Sequence, residues 1–525
     1  MNRFETMTEC YRAHLAAWGP PSLRNQPPIY VLVTNWMFTG VPFYSLELAS
    51  ALADAGHPIK ILWDNAEVAF AKTYENEVAV LEAFIETLPH WMRPVRVHEH
   101  RDATLSPELQ ARLESNYWDN AVKASLSEAK ATDVIAQGDR SDKDRFLAHA
   151  SKVLRMLQDL PPGRVLLPGG IYGLSGIYRL CAEALRLPYS TYDTGIDSIF
   201  LAHNGCAAHF ADFPDAFRRI AARLEADPRL AEQIEQEVLA LLKSRMEGRD
   251  PLATQVRASL DTAESPCDVL VCLNNRADTA ALGRERLFRS IADWLRQIGN
   301  WSLTRPDVRV CIRQHPHERF DWLPNEENYV LMLQSIDPIG KRLRLIPAES
   351  EENTYDLIRS AKVVLPYTST VGIEAACMGK PVITCSECYY STLGFVSAPE
   401  DAPSYFALID KQLDGGFELD RASRRSALQA LYIVLSHQHL PTVLDPGDCC
   451  DWAKTAPKDI WSEPAPRRML RSLSTCEPLA AINFLASIDG EPDPHRTPGI
   501  LERFTKWLAP GRGHDKVARD SSALL

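Results

Sequence analysis

The feature that most constrains the fold is the stretch from residue 362 to 384, KVVLPYTSTVGIEAACMGKPVIT. Its first residues, 362–365, form an apolar run typical of a buried parallel strand. Ser369 and Thr370 are suitable N-cap residues for the helix that follows, and residues 381–384 are predicted to form the next strand. Because a strand, a helix and another strand in this order form a parallel crossover, the stretch predicts an α/β fold.

The turn before this helix collects hydrogen-bond donors. The hydroxyls of Thr368, Ser369 and Thr370, the free N–H groups of the first helical turn and the helix dipole would converge where an anionic phosphate binds. We assign Gly372 to the same donor-binding set. Glu374 lies one turn beyond Thr370 on the same helix face, where a carboxylate could accept the hydroxyls of a ribose. The alternative is a structural unit in which Ser and Thr only cap a helix.

A similar unit begins the chain. Residues 29–33 and 58–63 are predicted strands with a helix between them. Ligands of parallel sheets bind at the carboxyl ends of the strands, so the loop after the first strand is expected to face a ligand. We take Asn35 and Gly40 from this loop as candidate acceptor-binding residues.

The next strands of the N-terminal half carry candidate catalytic groups. Gly170 follows the predicted strand 164–168 and would let the backbone approach a ligand closely. Asp193 ends the following strand, where a carboxylate is well placed for acid–base or nucleophilic chemistry, and Asp197 is the second candidate. His203 closes the segment as a candidate ligand of an acceptor hydroxyl. Loop capping is the structural alternative for both aspartates.

A second series of strands and helices starts after residue 262. Asn274 ends its first strand, and the strand 308–312 leads into RQHPHE, residues 313–318. Pro316 stops the strand after His315 and so fixes the direction of the imidazole. We expect Arg313 and His315 to alternate out of the strand end beside the Ser/Thr turn, where they would stabilise a phosphate. The candidate donor-binding residues of this segment are Asn274, Arg313, His315, Pro316 and Glu318, with His315 also a catalytic candidate.

At 525 residues the chain is too long for a single core. We predict an N-terminal Rossmann-like domain over 1–262 with a helical insertion at about 104–160, a C-terminal Rossmann-like domain over 263–440, and a Pro-rich, partly helical tail over 441–525. The tail receives no assigned role.

Composition excludes several classes of protein. The formal net charge of −12 argues against a nucleic-acid partner. No apolar run reaches the roughly 20 residues that span a bilayer, and the N-terminus has no signal-peptide core. We therefore expect a cytoplasmic protein, with peripheral association at the inner face of the membrane left open.

The sequence has no strong metal signature. The pair Cys385 and Cys388 has CxxC spacing, but no second pair lies at zinc-finger distance. His98 and His100 flank a Glu on a predicted edge strand, which is equally typical of a half-exposed strand face. No acidic DxD motif stands out in the loops, so we expect neither a metal nor another cofactor.

Taken together, these motifs resemble a known family. Two Rossmann-like halves around a central cleft are similar to the GT-B fold of glycosyltransferases. The pairing of RQHPHE with YTSTVGIEAACMGKPVI, followed by a Tyr-rich loop ending in Gly394 and Phe395, resembles the capsule polysaccharide biosynthesis family that includes bacterial Kdo transferases. A His-Pro motif followed by a Ser/Thr motif is also similar to the CMP site of bacterial sialyltransferases. The resemblance is specific over about 265–400 and architectural over 29–210.

The resemblance implies that His315 and the turn of Ser369 and Thr370 bind the donor phosphate, while Glu374 contacts the ribose. Retaining GT-B enzymes of the EX7E type carry a Glu where this chain has Pro366, so that mechanism is not expected. The implied reaction is transfer of a sugar from a nucleotide-activated donor, with a CMP-sugar such as CMP-Kdo favoured, to a hydroxyl of a glycan or lipid-linked glycan. Asp193 would act as the base of an inverting reaction or the nucleophile of a retaining one.

Three alternatives stay open at this stage: a UDP- or GDP-hexose transferase, a nucleotide-sugar epimerase, and a non-catalytic subunit of a glycan-assembly complex. An epimerase would act with no acceptor present. A binding subunit would bind nucleotide without turnover, or bind none.

Overall fold

The computed structural model describes residues 3–36, 39–68, 75–125, 127–137, 140–195, 198–249, 267–275, 279–319, 329–337, 342–416, 418–441, 444 and 447–490. Within these ranges the strands are β1 (Ile29–Val33), β2 (Ile59–Trp63), β3 (Pro94–Arg96), β4 (Arg164–Pro168), β5 (Tyr189–Gly195), β6 (Ser198–His203), β7 (Val269–Cys272), β8 (Val310–Arg313), β9 (Leu343–Ile346), β10 (Val363–Pro366) and β11 (Leu440–Pro441).

The helices in the same ranges are α1 (Arg3–Ala16), α2 (Val41–Asp54), α3 (Glu75–Ile85), α4 (Pro107–Ser125), α5 (Glu128–Gln137), α6 (Arg140–Asp159), α7 (Gly173–Ala184), α8 (Phe213–Ala226), α9 (Pro228–Met246), α10 (Ile291–Thr304), α11 (Tyr329–Ile336), α12 (Thr354–Ser360), α13 (Val371–Cys377), α14 (Ala402–Leu413), α15 (Arg421–Ser436), α16 (Pro457–Ser462), α17 (Pro464–Thr475) and α18 (Leu479–Ile488).

The chain divides into two compact units. The first contains the described residues of 1–124, 134–212 and 437–508, and the second contains those of 125–133 and 213–436. The predicted domain boundary at 262 therefore differs from this division, because α8 and α9 belong with the second unit. The tail predicted over 441–525 belongs with the first unit as far as it is described, together with residues 437–440.

The first unit is built on a seven-stranded sheet of order β11-β6-β5-β4-β1-β2-β3. The strands from β5 to β3 are parallel, while β6 runs antiparallel to β5 and β11 antiparallel to β6. The predicted strand over 95–100 ends at Arg96, and residues 97–99 form a 3-10 turn instead. His98 and His100 thus do not share a strand face, which removes the geometric basis of the metal interpretation.

Both faces of this sheet are buried, as expected for parallel strands flanked by helices. Alternate residues of β1 show it: Val31 packs in a core with α1, α2 and α3, whereas Leu32 packs in a second core with α4, α6 and α7. The C-terminal helices complete the first core. The partly helical tail predicted over 441–525 contains α16, α17 and α18 within its described residues.

A buried carboxylate of α2 joins this helix to the N-terminal segment and to α16. Glu47 accepts hydrogen bonds from Nε2 of His14 at 3.1 Å, from Nε1 of Trp18 at 3.2 Å and from Nε1 of Trp461 at 2.7 Å. A buried charge is tolerated only when such donors replace its lost hydration. This network explains why the segment after residue 437 packs on the N-terminal helices.

The second unit is built on a four-stranded sheet of order β10-β7-β8-β9, in which all strands are parallel. The predicted strand over 381–384 appears only as isolated parallel bridges, with Val382 beside Val364 and Ile383 beside Ser397. The α/β class with two Rossmann-like units is thereby confirmed. None of the helices within the described ranges is long and apolar enough to cross a membrane.

Candidate functional site

The carboxyl edge of the second sheet has a topological switch point between β7 and β10. From β7 the chain proceeds outward through β8 and β9, then returns to the other side of β7 as β10. Ligands of open parallel sheets bind in the crevice at such a point. The backbone N–H of Thr368, just after β10, donates to Oδ1 of Asn274, just after β7, at 3.0 Å. These two residues define the centre of the candidate site.

Both residues are buried, and Thr368 keeps unused hydrogen-bonding capacity among the described residues. Asn274 is 4% exposed and Thr368 6%. The Thr368 hydroxyl has no hydrogen-bond partner within the described part of the chain. Leaving a buried polar group unpaired costs about 1–3 kcal/mol, so such groups mark places where a ligand or an ordered water completes the bonding. Thr368 was among the predicted donor-binding residues.

The Ser/Thr turn does not cap its helix as predicted. Thr370 precedes α13 with helical dihedral angles, φ −55° and ψ −21°, and makes no capping hydrogen bond from its side chain. Its hydroxyl instead lies 3.0 Å from the hydroxyl of Tyr389. The Ser369 hydroxyl is 3.5 Å from the backbone nitrogen of Val371, a weak cap. Because α13 has only seven residues, side chains rather than a long helix dipole would dominate any phosphate recognition here.

Tyr390 packs against the same turn and stabilises it. Its hydroxyl donates to the Ser369 carbonyl at 2.6 Å. A Cβ at Gly372 would overlap this hydroxyl and would lie 2.8 Å from Cγ of Pro366. The structure therefore gives Gly372 a packing role, whereas the sequence analysis assigned it to donor binding.

His315 lies at the same edge, but not beside the Ser/Thr turn. Strand β7 separates β8 from β10, so the ends of β8 and β10 are about 9–10 Å apart and Asn274 lies between them. His315 was expected beside the Ser/Thr turn; instead, His315 and the turn lie on opposite sides of Asn274. Pro316 begins a 3-10 turn in which Glu318 N donates to the His315 carbonyl at 2.9 Å. The Glu318 carboxylate accepts a 3.5 Å contact from the Gln314 amide.

Arg313 is directed elsewhere than predicted. Its side chain is buried, and its guanidinium donates to the carbonyl of Pro347 in the loop after β9. This loop lies on the far side of β8 from Asn274 and the Ser/Thr turn. The contact stabilises the loop after β9. The expectation that Arg313 and His315 point to the same phosphate is therefore not supported by this contact.

Glu374 forms a buried ion pair that the sequence did not indicate. Its Oε1 accepts from Nε of Arg245 on α9 at 3.0 Å, and both side chains are almost entirely buried. Nε of Arg245 is also 3.3 Å from the Tyr355 hydroxyl. Burial, and secondarily the Glu374 charge, raises the pKa of Tyr355. A role in ribose binding would thus have to share the carboxylate with Arg245.

The first unit has its own switch point, between β1 and β4. Asn35 follows β1, and Gly170 follows β4 with a φ of +87° that favours glycine. A Cβ there would also lie 2.8 Å from Cγ2 of Thr191, so packing alone requires this glycine. The rings of Trp36 and Tyr172, centred 6.0 Å apart, line the same pair of loops. Gly40 N donates to the Gly447 carbonyl at 3.2 Å at the start of α2.

Asp193 occupies the predicted edge of this sheet. It directly follows Tyr192, which pairs with the last residue of β4, and its Oδ1 accepts from the Thr194 backbone at 2.8 Å. Burial raises the pKa of Tyr172, and the nearby Asp193 charge raises it further. Asp193 therefore lies within electrostatic range of Tyr172. Asp197, the second catalytic candidate, lies outside the described residues.

His203 is at the opposite edge. Because β6 is antiparallel, His203 pairs with Ser190 near the amino end of β5, away from Asp193. Its Nδ1 lies 2.8 Å from the Ser190 hydroxyl, and its Nε2 lies 3.0 Å from the Ser472 hydroxyl and 3.2 Å from the Glu477 carbonyl. Burial lowers its pKa to about 4. The assignment to acceptor binding is corrected: His203 anchors the C-terminal helices.

A polar cluster that no sequence motif indicated lies at the edge of the first sheet. Asp64 directly follows β2 and is 1% exposed. Its Oδ2 lies 2.8 Å from Nε2 of His149 and accepts from the Tyr178 hydroxyl at 2.9 Å. The available signal was a carboxylate after an apolar strand, the same signal that identified Asp193. Its partners lie 85 and 114 residues away and carry no local signature.

The described residues contain no group of three or more His, Cys, Asp or Glu side chains placed to hold a metal ion. Cys385 and Cys388 are both buried, and burial raises the pKa of each thiol. Thiols of this kind are protonated and behave as small core side chains.

Two sheets, one all parallel and one with five parallel strands, each have a switch point at the carboxyl edge and define an α/β protein of two Rossmann-like units. No family model matches the sequence, and no curated protein sequence matches it. Solved structures with detectable similarity include KpsC from Thermosulfurimonas dismutans, a beta Kdo 2,4 transferase. It has 13% identity and a TM-score of 0.35, over 56% of this chain and 86% of that one.

Two further solved structures are similar over most of this chain. A putative UDP-N-acetylglucosamine 2-epimerase from Listeria monocytogenes has 11% identity and a TM-score of 0.26, over 79% of this chain and 96% of that one. WaaG, a glycosyltransferase involved in lipopolysaccharide biosynthesis, has 11% identity and a TM-score of 0.26, over 86% of this chain and all of that one. Similarities this low do not distinguish between transferase and epimerase chemistry.

Proposed function

We propose that the protein is a glycosyltransferase that moves a sugar from a nucleotide-activated donor to a hydroxyl of a glycan. The observation that carries the proposal is the contact of Thr368 with Asn274 at the switch point of the second sheet. There the Thr368 hydroxyl, which has no hydrogen-bond partner among the described residues, and the Ser369–Thr370 turn lie on one side of Asn274, and His315 lies on the other. A nucleotide phosphate is a ligand that such a mixture of hydroxyl, amide and imidazole donors would recognise.

In the proposed reaction the donor phosphate binds His315 and the Ser/Thr turn. As the bond from the sugar to phosphate breaks, negative charge grows on the phosphate, and donors already directed at it stabilise that charge by about 10² in rate for each well-placed group. The His-Pro and Ser/Thr motif pair favours a CMP-sugar such as CMP-Kdo. Glu374 remains the proposed ribose ligand, sharing its carboxylate with Arg245.

Asp193 is the proposed acid–base or nucleophilic group of the first unit. As a base it would remove the proton of the acceptor hydroxyl, giving inversion; as a nucleophile it would attack the anomeric carbon and give retention through a covalent intermediate. The proposed acceptor is a surface polysaccharide or a lipid-linked glycan, reached at the inner face of the membrane or within a glycan-assembly complex. Metal independence is part of the proposal, and turnover with EDTA or with added Mg²⁺ tests it.

Calorimetric titration with CMP, CDP, UDP and GDP tests the donor site. We expect CMP to bind, and we expect His315→Ala to weaken its affinity at least tenfold. His98→Ala is the matched control, because His98 is an exposed histidine of the first unit and its loss should leave nucleotide binding unchanged.

Each alternative gives a different result. Preference for UDP or GDP would replace the CMP-sugar with a hexose donor. Sugar isomerisation without an acceptor would indicate an epimerase. Binding of none of the four nucleotides would contradict the donor site, and a non-catalytic subunit would become the better account.

A further inference from the structure

A carboxylate and a histidine form an acid–base pair beside the switch point of the first unit. Asp64 follows β2, one strand from β1, and its backbone N–H donates to the Val33 carbonyl at 3.2 Å. Its carboxylate is buried on the sheet face covered by α6 and α7, which supply His149 and Tyr178. This places the pair at the carboxyl edge, where ligands of parallel sheets bind.

The hydrogen bonds of Asp64 set the orientation of His149. Oδ1 accepts from the backbone N–H of Ala66 at 3.0 Å, and Oδ2 accepts from the Tyr178 hydroxyl. Because a carboxylate oxygen accepts hydrogen bonds, Nε2 of His149, 2.8 Å from Oδ2, is the ring nitrogen that donates to it.

The other ring nitrogen of His149 is left as the basic atom. With Nε2–H committed to Asp64, Nδ1 carries the lone pair of the neutral ring. Within the described part of the chain Nδ1 has no hydrogen-bond partner. The side chain is 12% exposed, so solvent or substrate reaches its rim. Asp64 can also stabilise the imidazolium that forms when Nδ1 takes a proton, as buried carboxylates do in nucleophile–His–Asp systems.

We propose that His149 is the general base for the acceptor hydroxyl and that Asp64 is its positioning residue. This inference rests on the proposed function. Nδ1 takes the proton of the acceptor O–H while the oxygen forms a bond to the anomeric carbon; the bond from that carbon to the donor phosphate breaks, and the nucleotide leaves with the electron pair. A single displacement of this kind inverts the anomeric centre. Within the inverting branch of the proposed reaction, His149 takes the place of Asp193 as the base; Asp193 lies three strands away, about 14 Å from Asp64.

The test is the release of CMP from CMP-Kdo, with water or a Kdo-terminated oligosaccharide as the acceptor. His149→Gln is the informative variant, because the glutamine amide can still donate to Asp64 and preserve packing but offers no base at the Nδ1 position. We expect kcat to fall at least 100-fold with the KM for the donor unchanged, and the acidic limb of the pH profile to disappear. Asp64→Asn should lower kcat by 10- to 100-fold, again at constant KM.

A second histidine–carboxylate pair of the same unit supplies the control. Nδ1 of His100 lies 3.4 Å from Oδ2 of Asp159 at the end of α6, with both side chains partly exposed. His100→Gln should leave kcat and its pH profile unchanged. CMP affinity, measured by titration, should be equal in all variants, which verifies that the nucleotide site is intact.

Several results would overturn the inference: a His149→Gln enzyme within twofold of wild-type kcat, an acidic limb that persists in that variant, or a covalent sugar adduct trapped on Asp193. A wild-type protein that binds no nucleotide and releases no CMP would refute the proposed function itself, and the inference with it. Normal CMP binding and turnover in the wild type, together with an active His149→Gln variant, would refute only the role of His149.

Discussion

The Thr368 N–H donates a 3.0 Å hydrogen bond to Oδ1 of Asn274, joining the ends of β10 and β7 at the switch point of the second sheet. The two residues are 94 positions apart in the chain. The bond holds the Ser/Thr turn in register with the neighbouring strand end, and it leaves the Thr368 hydroxyl without a protein partner in the described ranges. Rigid placement with spare bonding capacity is what a preorganised binding site requires.

The first prediction concerns Asn274. Replacing it with Ala removes the acceptor for Thr368 N–H, so we expect about 1–2 kcal/mol of destabilisation and at least a tenfold loss of CMP affinity, measured by urea unfolding and calorimetry. Asn353→Ala is the matched control, since it removes the N-cap of α12 at a similar cost in stability. Equal nucleotide affinity in Asn274→Ala and wild type would contradict a binding role.

The second prediction concerns the ion pair of Arg245 and Glu374. Arg245→Met leaves a buried carboxylate without its cation, and we expect a loss of about 3–5 kcal/mol in the free energy of unfolding. The double variant Arg245→Met, Glu374→Leu should recover at least half of that loss, because no isolated charge remains buried. If the double variant is no more stable than the single one, the pair is not the dominant interaction. Nucleotide titration of the double variant then tests Glu374 as a ribose ligand.

The third prediction is a pH dependence from His203. Burial lowers its pKa from 6.5 to about 4, so the native state holds the ring neutral while the unfolded chain takes up a proton below pH 6.5. The stabilising contribution is therefore complete above pH 6.5 and is lost as the pH falls toward 4, by roughly 3 kcal/mol in total. Urea unfolding between pH 7.5 and 4.5 should show a shallower pH dependence for His203→Gln. The exposed-residue variant His98→Gln should keep the wild-type slope.

The fourth prediction concerns Gly372. Its Cβ position is occupied by the Tyr390 hydroxyl and approached by Pro366, so Gly372→Ala should displace Tyr390 and cost about 1–3 kcal/mol. The displaced hydroxyl would also release the Ser369 carbonyl. Adding Tyr390→Phe removes the overlapping oxygen and should restore part of the stability. Thermal unfolding of Gly372→Ala and of the double variant measures these changes in stability. A Gly372→Ala variant as stable as wild type would contradict the prediction, because the turn would then have room to relax.

The sequence by itself determined the elements and their order. Apolar runs flanked by Gly, Pro and hydroxyl residues identified β7, β8 and β10 of the second sheet and the strand bearing Asp193, because burial on both faces leaves a continuous local pattern. The edge to which Asn274, His315 and Thr368 belong followed from the rule that parallel crossovers bring carboxyl ends together.

Tertiary structure alone decided which side chains meet. Strand β7 lies between β8 and β10, and the antiparallel direction of β6 puts His203 at the edge opposite Asp193. The contacts of Asp64 with His149 and of Arg245 with Glu374 join residues that are far apart in sequence. Strand order and helix packing depend on how whole faces bury together, and no local periodicity encodes that choice. Asp193 and Asp64 share the same sequence pattern, a carboxylate at the end of a strand. The pattern was enough to propose Asp193, whereas the importance of Asp64 became visible only from its contact with His149 of α6.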